Sequence, residues 1–119
     1  MKKDEDNLIL VKSKAFALRI IRLYKYLCEE KKEFVLSKQV LRSGTSIGAN
    51  AKEASMAQSK KDFKSKMSVA LKESGETEYW LELLHESDYI EEKSFESMNA
   101  DNKELIRIVT SILKSSRKK

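Results

Sequence analysis

With 119 residues and a net charge of +5, the chain is long enough for one domain with a real core. Proline is absent, glycine occurs three times and 36% of residues are charged, which favours long helices with solvated faces over a turn-rich sheet. No apolar run approaches the ~18 residues a membrane span needs, and Met1-Lys2-Lys3-Asp4 does not begin a signal peptide, so a cytoplasmic location without membrane contact is expected.

The first predicted element is a long amphipathic helix over residues 7–33. Leu8, Val11, Ala15, Leu18, Ile21 or Arg22, and Lys25 follow one track, and Phe16, Ile20, Leu23 and Leu27 widen it. Asp6 or Asn7 is the expected cap, and the run EEKKE ends the helix. Cys28, the single cysteine, lies at helical spacing from Tyr24 and Leu27 and reads as a small buried hydrophobe; alone it can form no internal disulfide.

A second helix is predicted over 37–58, with Leu36, Val40, Ile47 and Ala54 at helical spacing and few bulky residues between them. Ser59 is placed to cap a third, over 60–87, with Asp62 three residues on. This helix carries the cleanest pattern: Phe63, Met67, Ala70, Ser74, Thr77, Leu81 and Leu84 step by four and three, and Leu71, Trp80 and Leu83 broaden the face. Asp88-Tyr89-Ile90 reads as a turn with two apolar anchors, and the fourth helix, over 95–115, presents Met98, Leu105, Val109, Ile112 and Leu113. Four helices with short links predict a single all-α domain folded as an up-down-up-down four-helix bundle.

The segment Arg42–Ser55, RSGTSIGANAKEAS, resembles a phosphate loop only at first sight. Three residues rather than four separate Gly44 from Gly48, Ala49 follows in place of a lysine, and no G-x-G is present. Within a helix, Gly44, Gly48, Ala51 and Ser55 form a strip of small residues that a neighbour can approach closely. Tyr79 or Trp80 of the third helix, or another subunit, is the expected neighbour. Arg42, Ser46, Asn50 and Glu53 run beside the strip; they form either a solvated face or a hydrogen-bond network with Glu73, Glu76 and Glu78.

LRSGTSIGANAKEA and the later QSKKDFKSKMSVALKESGETEYWLELL resemble a known family. Its members are four-helix bundle proteins encoded in intervening sequences of bacterial 23S rRNA genes, and a related branch comprises accessory proteins of diversity-generating retroelements. The similarity runs from about Leu8 to Leu113. The resemblance implies an up-down bundle that assembles into a ring-like homo-oligomer, a pentamer by preference. It implies no catalytic activity and no cofactor, and a partner such as a reverse transcriptase or a ribosomal component. It places signature positions on Arg42, Ser46, Ile47, Asn50 and Glu53, and on Asp62, Phe63, Ala70, Glu76 and Glu78. The chain departs from the pattern at Ala51, at Gly48, and at Ser74-Gly75, which stands in place of Ala-Arg.

Charge is segregated along the chain. From Ser59 to Lys72 there are five lysines and one acid; from Glu73 to Glu92 there are eight acids and neither lysine nor arginine. In an up-down bundle the start of the third helix lies beside the end of the fourth. Lys60, Lys61, Lys64 and Lys66 would then join Lys114, Arg117, Lys118 and Lys119 in a basic pole suited to RNA or DNA phosphates. The alternative reading is that the lysines do no more than solvate the helix ends. The expected function is a non-enzymatic oligomeric bundle that binds nucleic acid through this pole; the alternative is an interaction scaffold or adaptor for a polymerase or ribonucleoprotein. An enzyme is the weakest reading, because His85 is the single histidine and Glu82-Leu83-Leu84-His85 the single Glu-x-x-His, so no metal is expected.

Overall fold

The computed structural model describes residues 4–117, with the side chain of Arg117 left undescribed. The described residues form four helices: α1 (Asp4–Glu29), α2 (Leu36–Ser55), α3 (Lys60–Glu86) and α4 (Glu92–Arg117). Among the described residues there is no strand. Each helix packs on the next, and α4 closes against α1, so α1 and α3 lie at opposite corners of an up-down-up-down bundle 47 Å long.

The core assembles from the stripes the periodicity predicts in three of the four helices. Val40, Ile47, Ala51 and Ala54 are buried from α2; Met67, Ala70, Leu81 and Leu84 from α3; Met98, Leu105, Val109 and Ile112 from α4. Ser74 and Thr77 are fully buried as the α3 track implies, and Phe63 is half-buried.

Helix α1 differs. Its core residues are Ile9, Ser13, Phe16, Ile20 and Leu27, whereas the predicted leading track, Leu8, Val11, Ala15 and Leu18, faces solvent. The helix carries two apolar stripes, and period alone does not state which of them meets the other helices.

The ends also shift for local reasons. Helix α1 starts at Asp4, so Asp6 and Asn7 lie inside its first turns, where acidic side chains face the positive end of the dipole. It ends at Glu29 rather than at residue 33. Lys32 takes φ 53°, and the chain folds back so that Glu33 is buried beneath the start of α2. The Glu33 carboxylate accepts from the backbone N–H groups of Leu36 (3.0 Å), Val35 (3.2 Å) and Ser37 (2.6 Å), satisfying donors that α2 leaves open. Burial alone would push this carboxyl up; the N–H donors of Leu36, Ser37 and Val35 and the Ser37 hydroxyl outweigh it and hold it below its ordinary value.

Ser59 caps α3 as expected, accepting the Asp62 N–H at 3.0 Å. After α3, Asp88 turns left-handed with φ 67°, the Tyr89 N–H bonds the Leu84 carbonyl at 2.9 Å, and Ile90 is buried as an anchor.

Candidate nucleic-acid interface

The up-down course gathers the start of α1, the end of α2, the start of α3 and the end of α4 at one pole. A groove there is lined by Glu5, Asp6, Lys60, Phe63, Ile112 and Ser115. The predicted lysines are brought together: Lys60, Lys61 and Lys114 are exposed and Lys64 is half-buried. Lys118 and Lys119 lie outside the described residues, as does the side chain of Arg117.

Two features dilute the basic character of this pole. Lys66 is engaged within the bundle, its ammonium 2.9 Å from a Glu53 carboxylate oxygen, and the hydrogen bond to Glu53 holds its pKa up. The first turn of α1 brings Asp4, Glu5 and Asp6 to the same end, where the Ser111 hydroxyl donates to Glu5. Among the described residues, Lys60, Lys61, Lys64 and Lys114 enter no ion pair and remain available to an external anion.

The opposite pole gathers acids, together with Lys31, Lys32, Lys38 and Lys93 at the same end. Glu82, Glu86, Asp88, Glu91 and Glu92 cluster where α3 ends and α4 begins. His85 sits among them, its ring stacked on Phe95 at 4.5 Å and its Nε2 3.1 Å from Glu92. Cys28 is half-buried, its thiol donating weakly to the Ser37 hydroxyl at 3.8 Å. Among the described residues, no three His, Cys, Asp or Glu side chains are placed to share a metal ion.

The small-residue strip on α2 is a packing surface, but its partner differs from the expected one. A Cβ on Gly44 would lie 2.7 Å from Ile20 Cγ1, and one on Gly48 would lie 3.2 Å from Ser13 Oγ. Both glycines therefore admit α1, not Tyr79 or Trp80 of α3. The reason is rotational: Tyr79 points outward, with 54% of its surface exposed, and meets Trp80 edge-on at 5.2 Å. Ala51 is buried in the core, and Ser55 is half-buried with its hydroxyl on the Lys52 carbonyl.

The neighbouring polar strip does cross to α3, at its two ends. Arg42 lies 2.8 Å from Glu76 and 3.6 Å from Glu73, and Glu53 holds Lys66. Between them the Ser46 hydroxyl donates to the Arg42 carbonyl and the Asn50 amide to the Ser46 carbonyl, so these two stay within α2. Glu78 belongs to none of these contacts. With Arg42 about half exposed, the strip is a surface network rather than a buried one.

Three further arrangements lie outside the predicted sites. Arg19 donates to Asp101 at 2.7 Å and to the Ser97 hydroxyl at 3.0 Å, and Lys12 pairs with Glu104 at 3.2 Å, tying α1 to α4. Asn102, fully buried, donates to the Ser74 carbonyl at 2.9 Å beside the Thr77–Ser43 hydroxyl pair. Asn102 had a legible signal, since it occupies a core position between Met98 and Leu105. Arg19 and Lys12 had none, because exposed charges carry no mark of their partners.

Fold and surface together define a class: an antiparallel four-helix bundle with a basic and an acidic pole and glycine-thinned contact between its first two helices. The chain belongs to the family of 23S rRNA-intervening sequence proteins, whose model matches residues 5–111. It is similar to a solved structure from Bacteroides thetaiotaomicron, a protein of unknown function from the S23 ribosomal protein family. The two are 55% identical, with a TM-score of 0.92 over 92% of this chain and 98% of that one. The resemblance carried by the α2 and α3 blocks is thereby borne out. No curated protein matches the chain. Among the described residues no helix is long and apolar enough to cross a membrane.

Proposed function

We propose that the chain is a non-enzymatic, homo-oligomeric bundle that binds RNA, or another nucleic acid, by phosphate contacts at its basic pole. The observation that carries this reading is the convergence of Lys60, Lys61, Lys64 and Lys114 at one end, free of internal ion pairs among the described residues, while the acids gather at the other. Little aromatic surface accompanies them, since Phe63 is drawn into the bundle. Stacking and base reading are therefore not part of the proposal; charge and shape are. Oligomerisation multiplies the pole, which raises the local potential seen by a polyanion.

Filter binding of single-stranded RNA tests it. At about 50 mM salt binding is measurable, and it weakens steeply towards about 200 mM as counterions return. Replacing Lys60, Lys64 and Lys114 by Gln lowers the slope of log affinity against log salt by about 2, at roughly 0.7 per lost phosphate contact. No binding at low salt, or an unchanged slope in the triple variant, overturns the reading. A partner protein that stays bound after nuclease treatment would favour a scaffold or adaptor instead.

A further inference from the structure

A groove of about 390 Å³ lies between α1 and the start of α4, in the half of the bundle away from the lysine pole. Leu23, half-buried, and Ile90 and Met98, both buried, give it an apolar floor. Its polar groups are Arg19, Arg22 and Tyr26 of α1, with Glu91 and Ser94 across from them. A concave apolar surface carrying a few convergent polar groups is the form a small-molecule site takes.

The polar groups are ordered along the groove. Arg19 bonds Ser97 and Asp101, which fixes its level against α4. The two helices are antiparallel, so residues later in α1 lie beside residues earlier in α4. Tyr26 stands seven residues beyond Arg19, about 10 Å along the axis. Ser94 and Glu91 precede Ser97 and lie towards the same end as Tyr26. Helical side chains lean towards the N-terminus, which carries the Arg22 guanidinium back towards Arg19. The groove thus has a guanidinium end, an apolar middle, and an end made of a carboxylate, a hydroxyl and a phenol.

These groups are available. The Arg19 guanidinium donates to the Asp101 carboxylate at 2.7 Å, to the Ser97 hydroxyl at 3.0 Å and to the Ser97 carbonyl at 3.5 Å. That holds it in place and leaves two of its five N–H donors without a partner among the described residues. Asp101 offsets the charge of Arg19, so the charge offered to a ligand is that of Arg22. Among the described residues Arg22 and Glu91 enter no ion pair, either with each other or with another group. Arg22, Glu91 and Ser94 are exposed, and Tyr26 keeps 40% of its surface in solvent. Opposite charges held apart on one apolar groove match a ligand with an anion at one end and N–H donors at the other.

Each part of the groove restricts that ligand. Guanidinium groups hold phosphate through paired N–H···O bonds. The apolar floor and the Tyr26 ring take the face of a flat ring. A carboxylate only accepts hydrogen bonds, so Glu91 calls for adjacent N–H donors. The geometry points to a guanine nucleotide, with its phosphate on Arg22 beside Arg19 and its base on Leu23, Ile90 and Met98 against Tyr26. The N1–H and the exocyclic amino group of the base donate to Glu91, and the Ser94 hydroxyl donates to the O6 carbonyl. Adenine presents a bare acceptor at N1, which a carboxylate repels. A free amino acid carries both charges on one carbon and cannot span the groove. A free nucleotide and an unpaired guanosine within RNA offer the same groups, whereas in a duplex that edge of the base is already engaged. The inference is independent of phosphate binding at the lysine pole.

Calorimetric titration of the full chain with guanosine 5′-monophosphate tests it, with adenosine 5′-monophosphate and guanosine as comparisons. The guanine nucleotide binds saturably, and the other two bind at least about tenfold more weakly. Arg22→Gln lowers affinity for the guanine nucleotide about tenfold and leaves that for guanosine unchanged. Glu91→Gln removes the preference for guanine over adenine. Both side chains are exposed, so both variants keep the wild-type circular dichroism. Amide shifts on titration fall at Tyr26 and Ser94. No saturable binding, equal affinity for the two nucleotides, or shifts confined to Lys60 and Lys64 would overturn the proposal. Short oligouridines with and without one guanosine distinguish the sources. A gain from the guanosine that Glu91→Gln abolishes identifies RNA, and no gain beside intact mononucleotide binding identifies the free nucleotide. Replacing Lys60, Lys64 and Lys114 leaves mononucleotide affinity unchanged, so failure at one site is read apart from failure at the other.

Discussion

Each of the three glycines predicts a different outcome for the same substitution. In Gly44→Ala the new methyl lies 2.7 Å from Ile20 Cγ1 and 2.9 Å from both Cγ2 and Cδ1. Ile20 is fully buried and, being β-branched in a helix, cannot turn about χ1 to make room. Overpacking of this kind costs about 1–3 kcal/mol, and the gain in helix propensity offsets about 0.5–1 kcal/mol. The net expectation is a loss of about 0–2.5 kcal/mol, centred near 1 kcal/mol. Gly75→Ala meets nothing within 4 Å and keeps the whole propensity gain, about 0.5–1 kcal/mol. Gly48→Ala falls between them, because its methyl would lie 3.2 Å from a Ser13 hydroxyl that can rotate, and the terms nearly cancel. Urea unfolding followed by circular dichroism at high dilution measures all three, and each kcal/mol corresponds to roughly 3–6 °C in Tm at this chain length. If Gly44→Ala stabilised the protein as much as Gly75→Ala does, close approach of α1 would not be why residue 44 is glycine.

Glu33→Gln leaves helix α2 with a neutral cap whose amide group opposes backbone donors, and about 1–3 kcal/mol of stability is expected to go at neutral pH. Because the folded-state carboxyl is held below its ordinary value of 4.5, its contribution is present above that pH and disappears as pH falls through the lower folded value. The gap between wild type and variant, read from urea titrations at several pH values, should therefore close on acidification; a gap that persists in acid would contradict the capping role. Between Arg42 and Glu76, a double-mutant cycle should give a coupling of only about 0.2–1 kcal/mol that salt screens further, since both side chains are close to half exposed. A coupling of several kcal/mol that withstands salt would show that the pair is covered, as it would be at an interface.

What could be read from the sequence divides along physical lines. Helix α3 was legible nearly residue by residue, because its single apolar track has only one face to bury. Helix α1 was legible as a helix but not in orientation: with apolar residues at both Leu8-Val11-Leu18 and Ile9-Phe16-Ile20, either stripe satisfies the same period. The glycines of α2 announced close packing without naming the neighbour, which depends on the rotation of three helices about their axes. The end of α1 was misplaced because Glu33 is a good helix former; its capping role exists only once the chain has turned at Lys32. The lysine pole was legible in composition, whereas the loss of Lys66 to Glu53 needed the antiparallel register of α2 and α3.

That register bears on why the charges of α3 are arranged as they are. Lysines at its start and glutamates at its end run against its dipole, at a cost of about 0.3–1 kcal/mol for each well-placed charge. Within the bundle the middle of the helix is compensated, by Glu53 on Lys66 and by Arg42 on Glu73 and Glu76. The ends are not: among the described residues neither Lys60, Lys61 and Lys64 nor Glu82 and Glu86 form an ion pair with another helix. Charges placed against local helix preference and left uncompensated internally call for an external counterpart. The function proposed above supplies one at the lysine pole, where phosphate would take that place. Phosphate contacts at so exposed a pole are lost over a modest rise in ionic strength. RNA binding that survived such a rise unchanged would mean that contacts other than charge hold the nucleic acid.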